Sequence, residues 1–191
     1  MASVRGLVIL DRDGVLNEIV VDAEHGTIDS PLHPDQVRVY PWVPESLAAL
    51  TAAGYLLAVA TNQPSAAKGK TTRANLEATH ARVLELAQAS GGRIASSHVC
   101  FHRSEDGCAC RKPKPALLLE ALATSAVPAA DAWMVGDGVT DVEAGVAAGV
   151  HTAFLGPRKC DACKIFSDRR LSPGFWGKDL ADFTRSLLSR A

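Results

Sequence analysis

Five consecutive apolar residues, Gly6-Leu7-Val8-Ile9-Leu10, run directly into Asp11-Arg12-Asp13-Gly14. An apolar run without polar alternation suits a strand buried on both faces, as in parallel sheets covered by helices. Such a strand ends at the carboxyl edge of the sheet, where open α/β sheets bind ligands. Residues i and i+2 of an extended segment point the same way, so Asp11 and Asp13 reach toward one crevice. Gly14 gives the backbone freedom to turn sharply there.

The rest of the chain repeats this alternation. Apolar runs predict further strands over 55–60 and 132–135, with weaker ones over 152–155 and 97–101. Helices are expected between them. The segment 44–53 has a Pro start and a Gly54 stop. Over 72–89, Leu76, Val83, Leu84 and Ala87 share one face. Two more helical segments, 115–123 and 142–148, begin after Lys114 and end before Gly149 respectively. Strands alternating with helices imply right-handed βαβ units, hence an α/β fold with a doubly wound, Rossmann-like parallel sheet flanked by helices. The length of 191 residues fits one domain over 1–191. The segments 18–40, 100–115 and 156–179 read as long loops, which in compact domains are usually functional or mobile.

Composition removes several function classes. With 20 Lys+Arg against 21 Asp+Glu, the net charge of −1 lacks the basic excess a nucleic-acid binder needs. A hydrophobic content of 47% argues against disorder. No apolar run approaches the roughly 18 residues that span a bilayer. The start MASVRGLVIL has no signal-peptide pattern, so the expected compartment is a reducing cytoplasm. In that compartment five cysteines suggest metal ligands or free thiols.

A second acidic pair, Asp137 and Asp141, follows the strand at 132–135 through Gly136. Each aspartate alone reads as a helix cap or turn residue. Together, after apolar strands, they form a crowd of carboxylates that only a cation or a proton relieves. Mg²⁺ is the natural guest, being hard and commonly paired with substrate phosphate. Thr61-Asn62-Gln63 stands at another strand end, offering a hydroxyl and backbone donors to an anion. Arg111-Lys112-Pro113-Lys114-Pro115 brings cations beside a helix N-terminus.

Cys100-x-His102 and Cys108-x-Cys110 place four soft or borderline ligands in a loop spanning about 100–110, a pattern suited to tetrahedral Zn²⁺. Four protein ligands would make the site structural, fixing the loop that delivers Arg111 and Lys112. The alternative is three free thiols and an exposed histidine. Cys160-Asp161-Ala162-Cys163 reads as two free thiols, half a metal site or a redox pair. His25, His33 and His151 read as exposed or structural, and Trp133 as core. Trp42 and Trp176 would cover sheet edges or line the pocket.

The ordered set Asp11-x-Asp13-Gly14, Thr61-Asn62, Lys112-Pro113 and Gly136-Asp137-x-x-x-Asp141 resembles the four motifs of the haloacid-dehalogenase-like phosphatase superfamily, over about residues 7–155. That resemblance implies catalysis by Asp11 as nucleophile and Asp13 as general acid/base. It implies Mg²⁺ held by Asp11, Asp137 and the backbone carbonyl of Asp13, with Asp141 supporting the metal from behind. Thr61, Asn62, Arg111 and Lys112 would then bind phosphate or substrate. The zinc-type loop, with Asp11-Arg12-Asp13-Gly14-Val15-Leu16-Asn17, is similar to the histidinol-phosphate and D-glycero-D-manno-heptose 1,7-bisphosphate phosphatase group. Members of that group lack a large cap domain and are monomeric, cytoplasmic enzymes acting on small phosphorylated metabolites.

Within the group, removal of the 7-phosphate of heptose bisphosphate is the favoured expectation, with histidinol phosphate or another sugar phosphate as alternative. A zinc-stabilised, non-enzymatic interaction module is the alternative of another class. Two departures stand out. Pro64-Ser65-Ala66-Ala67-Lys68 replaces the group's usual Ser-Gly, and Gly138 stands where the heptose enzymes tend to have Lys. Lys68 and Lys70 read as solvated surface lysines, with compensating charge for the pocket as the alternative reading.

Overall fold

The structure is a computed structural model that describes residues 4–22, 27–157 and 160–189. In chain order the strands are β1 (Gly6–Leu10), β2 (Val20–Asp22), β3 (Thr27–Asp29), β4 (Tyr55–Asn62), β5 (Ile94–Cys100), β6 (Ala132–Gly136), β7 (His151–Leu155) and β8 (Phe175–Gly177). The helices are α1 (Val43–Ala52), α2 (Arg73–Ala87), α3 (Ala116–Ser125), α4 (Val139–Ala148), α5 (Cys160–Asp168) and α6 (Leu180–Ser189). Six strands form a parallel sheet in the order β5-β4-β1-β6-β7-β8, and β2 and β3 form a separate antiparallel hairpin.

Strand alternation explains the three-layer packing. Val8 and Leu10 turn to the face covered by Leu47 and Leu50 of α1, Val83 of α2 and Phe183 of α6. Leu7 and Ile9 turn to the opposite face, against Leu117, Leu118 and Ala121 of α3 and Ala144 of α4. All five residues of β1 are buried, and each large apolar side chain so covered contributes about 1.5–3 kcal/mol relative to exposure. The doubly wound α/β fold is thus as read from the sequence, and the described residues include no large cap domain.

The differences have physical causes. The strand expected over 97–101 begins at Ile94. It lies at the sheet edge, and partial exposure lets polar residues break its apolar run. In place of an irregular segment over 156–179, the chain forms α5 and β8, and α6 follows. Loop 18–40 contains the β2–β3 hairpin. Trp133 is only half-buried, its ring set edge-on to Phe183 at 5.4 Å and beside the exposed His151 at 4.9 Å. Trp176 packs with Phe154 and Phe166, while Trp42 stacks on Tyr40. His33 is exposed; His25 lies outside the described residues. No helix among the described residues is long and apolar enough to cross a membrane.

Candidate active site

Strand β1 has β4 on one side and β6 on the other, so the chain winds outward in both directions from it. Crevices open at the carboxyl ends of strands where winding reverses. A cavity of about 320 Å³ opens there, and Asp11, Asp13, Thr61, Lys112, Asp137 and Asp141 all line it. The four sequence motifs therefore meet in one place.

Lys112 is almost fully enclosed. Its side chain is 2% exposed, and Nζ stands 2.9 Å from Asp11 Oδ1 and 2.6 Å from Asp141 Oδ1. The same ammonium donates to the carbonyl of Ala60 at 2.7 Å. Burial alone would lower its pKa, but Asp11 and Asp141 outweigh it and hold the lysine charged. Asn62 sets its place. The Asn62 amide donates to the Lys112 carbonyl, and the Lys112 N–H donates back to Asn62 Oδ1, both at 3.1 Å. The Asn62 side chain is thus engaged in anchoring the lysine loop to the end of β4, where the sequence suggested contact with phosphate. Thr61 is buried, and its Oγ1 accepts from Gln63 at 3.0 Å, which leaves its own proton to donate into the cavity.

Ligand atoms of Asp11, Asp137 and Asp141 lie within 4.8 Å of one another. Two glycines permit this. Gly14 has φ +81°, and a Cβ there would strike the Asp137 carboxylate; one on Gly136 would strike that of Asp141. Enclosure, and then Asp11 and Asp141, push Asp137 up to about 7, even though its residue surface opens toward solvent. Burial also pushes Asp141 up to about 6, against the pull of Lys112. Three carboxylates facing one ammonium leave a deficit of positive charge, and a hard oxygen donor set of this kind fits a divalent cation such as Mg²⁺.

The Asp13 carboxylate is turned aside from that cluster. It accepts from Arg12 Nε at 3.1 Å and Nη2 at 3.0 Å, from Asn17 Nδ2 at 2.9 Å and from Gln63 Nε2 at 2.6 Å. Gln63 also accepts from Arg12 at 2.7 Å. Arg12 is fully buried, as are Asn17 and Gln63. Sequence reading quoted these three residues inside motifs but gave them no role. The only available signal was their polarity between segments destined for burial.

The cysteine-rich loop folds as its spacing suggested. The Sγ atoms of Cys100, Cys108 and Cys110 and Nδ1 of His102 lie within 4.8 Å of one another. Cys100 to Cys108 is 3.7 Å, Cys108 to Cys110 3.6 Å, Cys100 to His102 3.7 Å, His102 to Cys110 3.3 Å and Cys100 to Cys110 3.0 Å. A tetrahedron with Zn–S bonds of about 2.3 Å has edges of about 3.8 Å, so these edges are equal to that or shorter, and three thiols with one imidazole are the donor set zinc prefers. Arg111 donates to His102 O at 3.2 Å, and Lys114 donates to Gly107 O at 3.0 Å and Cys108 O at 2.5 Å. These cations brace the loop.

Arg111 does not line the cavity that holds Asp11. With Arg103 and Lys114 it lines an adjoining one of about 310 Å³, which shares Asn62, Lys112 and Thr140 with the first. Thr140, at the start of α4, is a wall residue that sequence reading missed. Lys68 and Lys70 line neither cavity, and Lys70 pairs with Asp29 instead. Cys163 is an exposed free thiol; the Cys160 side chain lies outside the described residues.

This fold and site define a class, and comparison with known proteins agrees. The chain matches the family model described as haloacid dehalogenase-like hydrolase over residues 18–149, and it belongs to that family of hydrolases. Membership in an enzyme family sets aside the non-enzymatic module. Among its relatives is the D-glycero-beta-D-manno-heptose-1,7-bisphosphate 7-phosphatase of Pseudomonas aeruginosa, 41% identical over 73% of this chain and 75% of that protein. The protein of the same name from Neisseria meningitidis serogroup A is 36% identical over 78% of this chain and 76% of its own. A similar solved structure is the D,D-heptose 1,7-bisphosphate phosphatase of B. bronchiseptica complexed with magnesium and phosphate. Its TM-score is 0.80 at 31% identity, covering 97% of this chain and 99% of that one.

Proposed function

We propose that this chain is a phosphatase that removes the 7-phosphate of D-glycero-D-manno-heptose 1,7-bisphosphate, through an aspartyl phosphate on Asp11. The observation that carries the reading is the Lys112 ammonium held between Asp11 and Asp141 on the wall of the cavity. It sets a fixed positive charge beside the nucleophile, where charge on a transferring phosphoryl group spreads over its oxygens.

An Asp11 oxygen attacks phosphorus as the bond to the sugar oxygen breaks. Asp13 gives a proton to the departing oxygen, then takes one from the water that cleaves the aspartyl phosphate. Arg12, Asn17 and Gln63 orient Asp13 for both steps. Lys112 and the Thr61 hydroxyl bind the phosphoryl oxygens, and Asn62 holds Lys112 in register. Asp11, Asp137 and the carbonyl of Asp13 would hold Mg²⁺, which when bound would supply Lewis-acid neutralisation of the phosphate charge. Asp141 supports that site and balances Lys112. Cys100, His102, Cys108 and Cys110 would hold Zn²⁺, which would fix the loop that leads into Arg111 and Lys112.

The second cavity favours a bisphosphate. Arg103, Arg111 and Lys114 border it, and it joins the first through Lys112 and Thr140. A second phosphate suits such a lining, whereas histidinol phosphate would bring an ammonium into it, a like-charge contact. The chain acts as one phosphatase domain and as a monomer. Cys100, Cys108, Cys110 and Cys163 form no disulfide, which suits a reducing cytoplasm.

The test is a panel of phosphate esters with the wild-type protein and Asp11→Asn. Mg²⁺-dependent release of one phosphate from the heptose bisphosphate, abolished in a folded Asp11→Asn variant, is the expected result. Near-wild-type hydrolysis by that variant refutes the nucleophile, and much faster turnover of histidinol phosphate refutes the substrate.

A further inference from the structure

The β2–β3 hairpin stands over the cavity with little of its own to hold it there. Each strand has three residues, and a two-stranded hairpin of that size is marginal in water. Ile19 and Ile28 nevertheless line the cavity, although they are 41% and 67% exposed. They add an apolar stretch to the wall of the same cavity that Asp11 lines.

A small set of contacts ties this wall to the loop that follows β4. Lys70 Nζ stands 2.5 Å from Asp29 Oδ2. Asp29 Oδ1 accepts from the Ser30 N–H at 2.8 Å and from the buried Ser65 hydroxyl at 3.4 Å. Lys70 and Ser65 belong to the loop that leaves β4 just after Thr61-Asn62-Gln63. That loop is itself tightly wound, with Lys70 N–H donating to Ser65 O and Lys68 N–H to Pro64 O, both at 3.0 Å. Thr71 adds a hydrogen bond from its hydroxyl to Leu32 O at 3.1 Å, just beyond β3. Although partial burial raises the Asp29 pKa, the Lys70 and Ser30 hydrogen bonds outweigh it and hold the carboxyl below its ordinary value.

We propose that Lys70, acting through Asp29, is a positioning residue that latches the β2–β3 hairpin over the cavity and so sets the enzyme's preference for large leaving groups. The inference rests on the phosphatase reading above. An ester with a sugar-sized leaving group reaches Ile19 and Ile28, so its binding depends on where the hairpin sits. A phosphoryl donor with a short leaving group, such as acetyl phosphate, ends before it. The pair is partly exposed, and exposed ion pairs hold equilibria by factors of at most about five. Loss of the latch thus alters the wall without unfolding the sheet.

The test uses Lys70→Met and Lys70→Arg in the full chain. Lys70→Met should raise KM for the heptose bisphosphate about fivefold, with kcat little changed and acetyl phosphate turnover unaltered. Lys70→Arg should restore the wild-type KM, and high salt should raise the wild-type KM toward that of Lys70→Met. An unchanged KM, or an equal loss on both substrates, overturns the latch. If the wild-type protein releases phosphate from neither compound, the phosphatase reading fails instead. The latch is then decided by hydrogen exchange of the metal-free proteins. Faster exchange over 27–30 in Lys70→Met supports it, and identical exchange overturns it.

Discussion

Replacing Lys112 by Met isolates one charge at nearly constant volume. The wild-type side chain is 2% exposed and faces Asp11 and Asp141, which are 15% and 3% exposed. Removing one partner of a buried ion pair typically costs 3–5 kcal/mol, because the other charge stays buried and unpaired. Here two carboxylates and the Ala60 carbonyl lose their donor at once, so a deficit of about 4 kcal/mol is expected at pH 8 without metal. Proton uptake relieves it. Asp141 is already pushed up to about 6, and loss of Lys112 moves it higher, so the gap between variant and wild type should narrow as the pH falls toward 5. Urea unfolding at both pH values measures this. On the kinetic side, losing a preorganised positive charge at the phosphoryl oxygens is expected to lower kcat about 10²–10³-fold. A variant within tenfold of wild-type kcat, or within about 1 kcal/mol of wild-type stability at pH 8, would refute the reasoning from burial.

His80 offers a separate pH test. Burial, reinforced by the nearby Arg12, pushes it down to about 4, so the unfolded chain binds its proton first. Stability is therefore full above about 6.5 and is lost as the pH falls toward 4, on the order of 3 kcal/mol for this group. His80→Gln should flatten that part of the urea-unfolding profile. Gln63→Leu removes a donor to Asp13 and an acceptor for Arg12. It should reduce kcat about 10–100-fold with little change in KM, measured on the preferred ester. Elemental analysis should find one zinc per chain, released when the cysteines are blocked; two would bring Cys160 and Cys163 into a second site.

The parts of the fold legible in the sequence were those in which burial is uniform. Strand β1 reads plainly because every one of its residues is buried, as are all but one in β6 and the central run of β4. Strand β5, with alternating exposure at the sheet edge, carries a weaker pattern, and β8 has only three residues. The α6 signal existed, with Leu180, Phe183 and Leu187 spaced for one helical face. The residues that react could be named because each follows a strand directly. Those that aim them could not. Nothing in a linear reading says that Gln63 meets Asp13, or that Asn62 holds the backbone of Lys112, because both contacts join residues about fifty positions apart. The β2–β3 hairpin was hidden for a related reason, since its purpose lies in the cavity it covers and not in a core of its own.

The placement of Lys112 has a consequence for quality control of the chain. Its ammonium touches Asp11 at the end of β1, Ala60 in β4 and Asp141 in α4, which follows β6. These groups lie in β4, directly after β1, and on the helix that follows β6, three strands that are neighbours in the sheet. A slip of one residue in any of them turns the side chains of that strand to the other face, and the three contacts cannot then coexist. The atom that faces the phosphate thus also checks the alignment of the central sheet, so a chain assembled in the wrong register would be silent toward substrate rather than active on the wrong one.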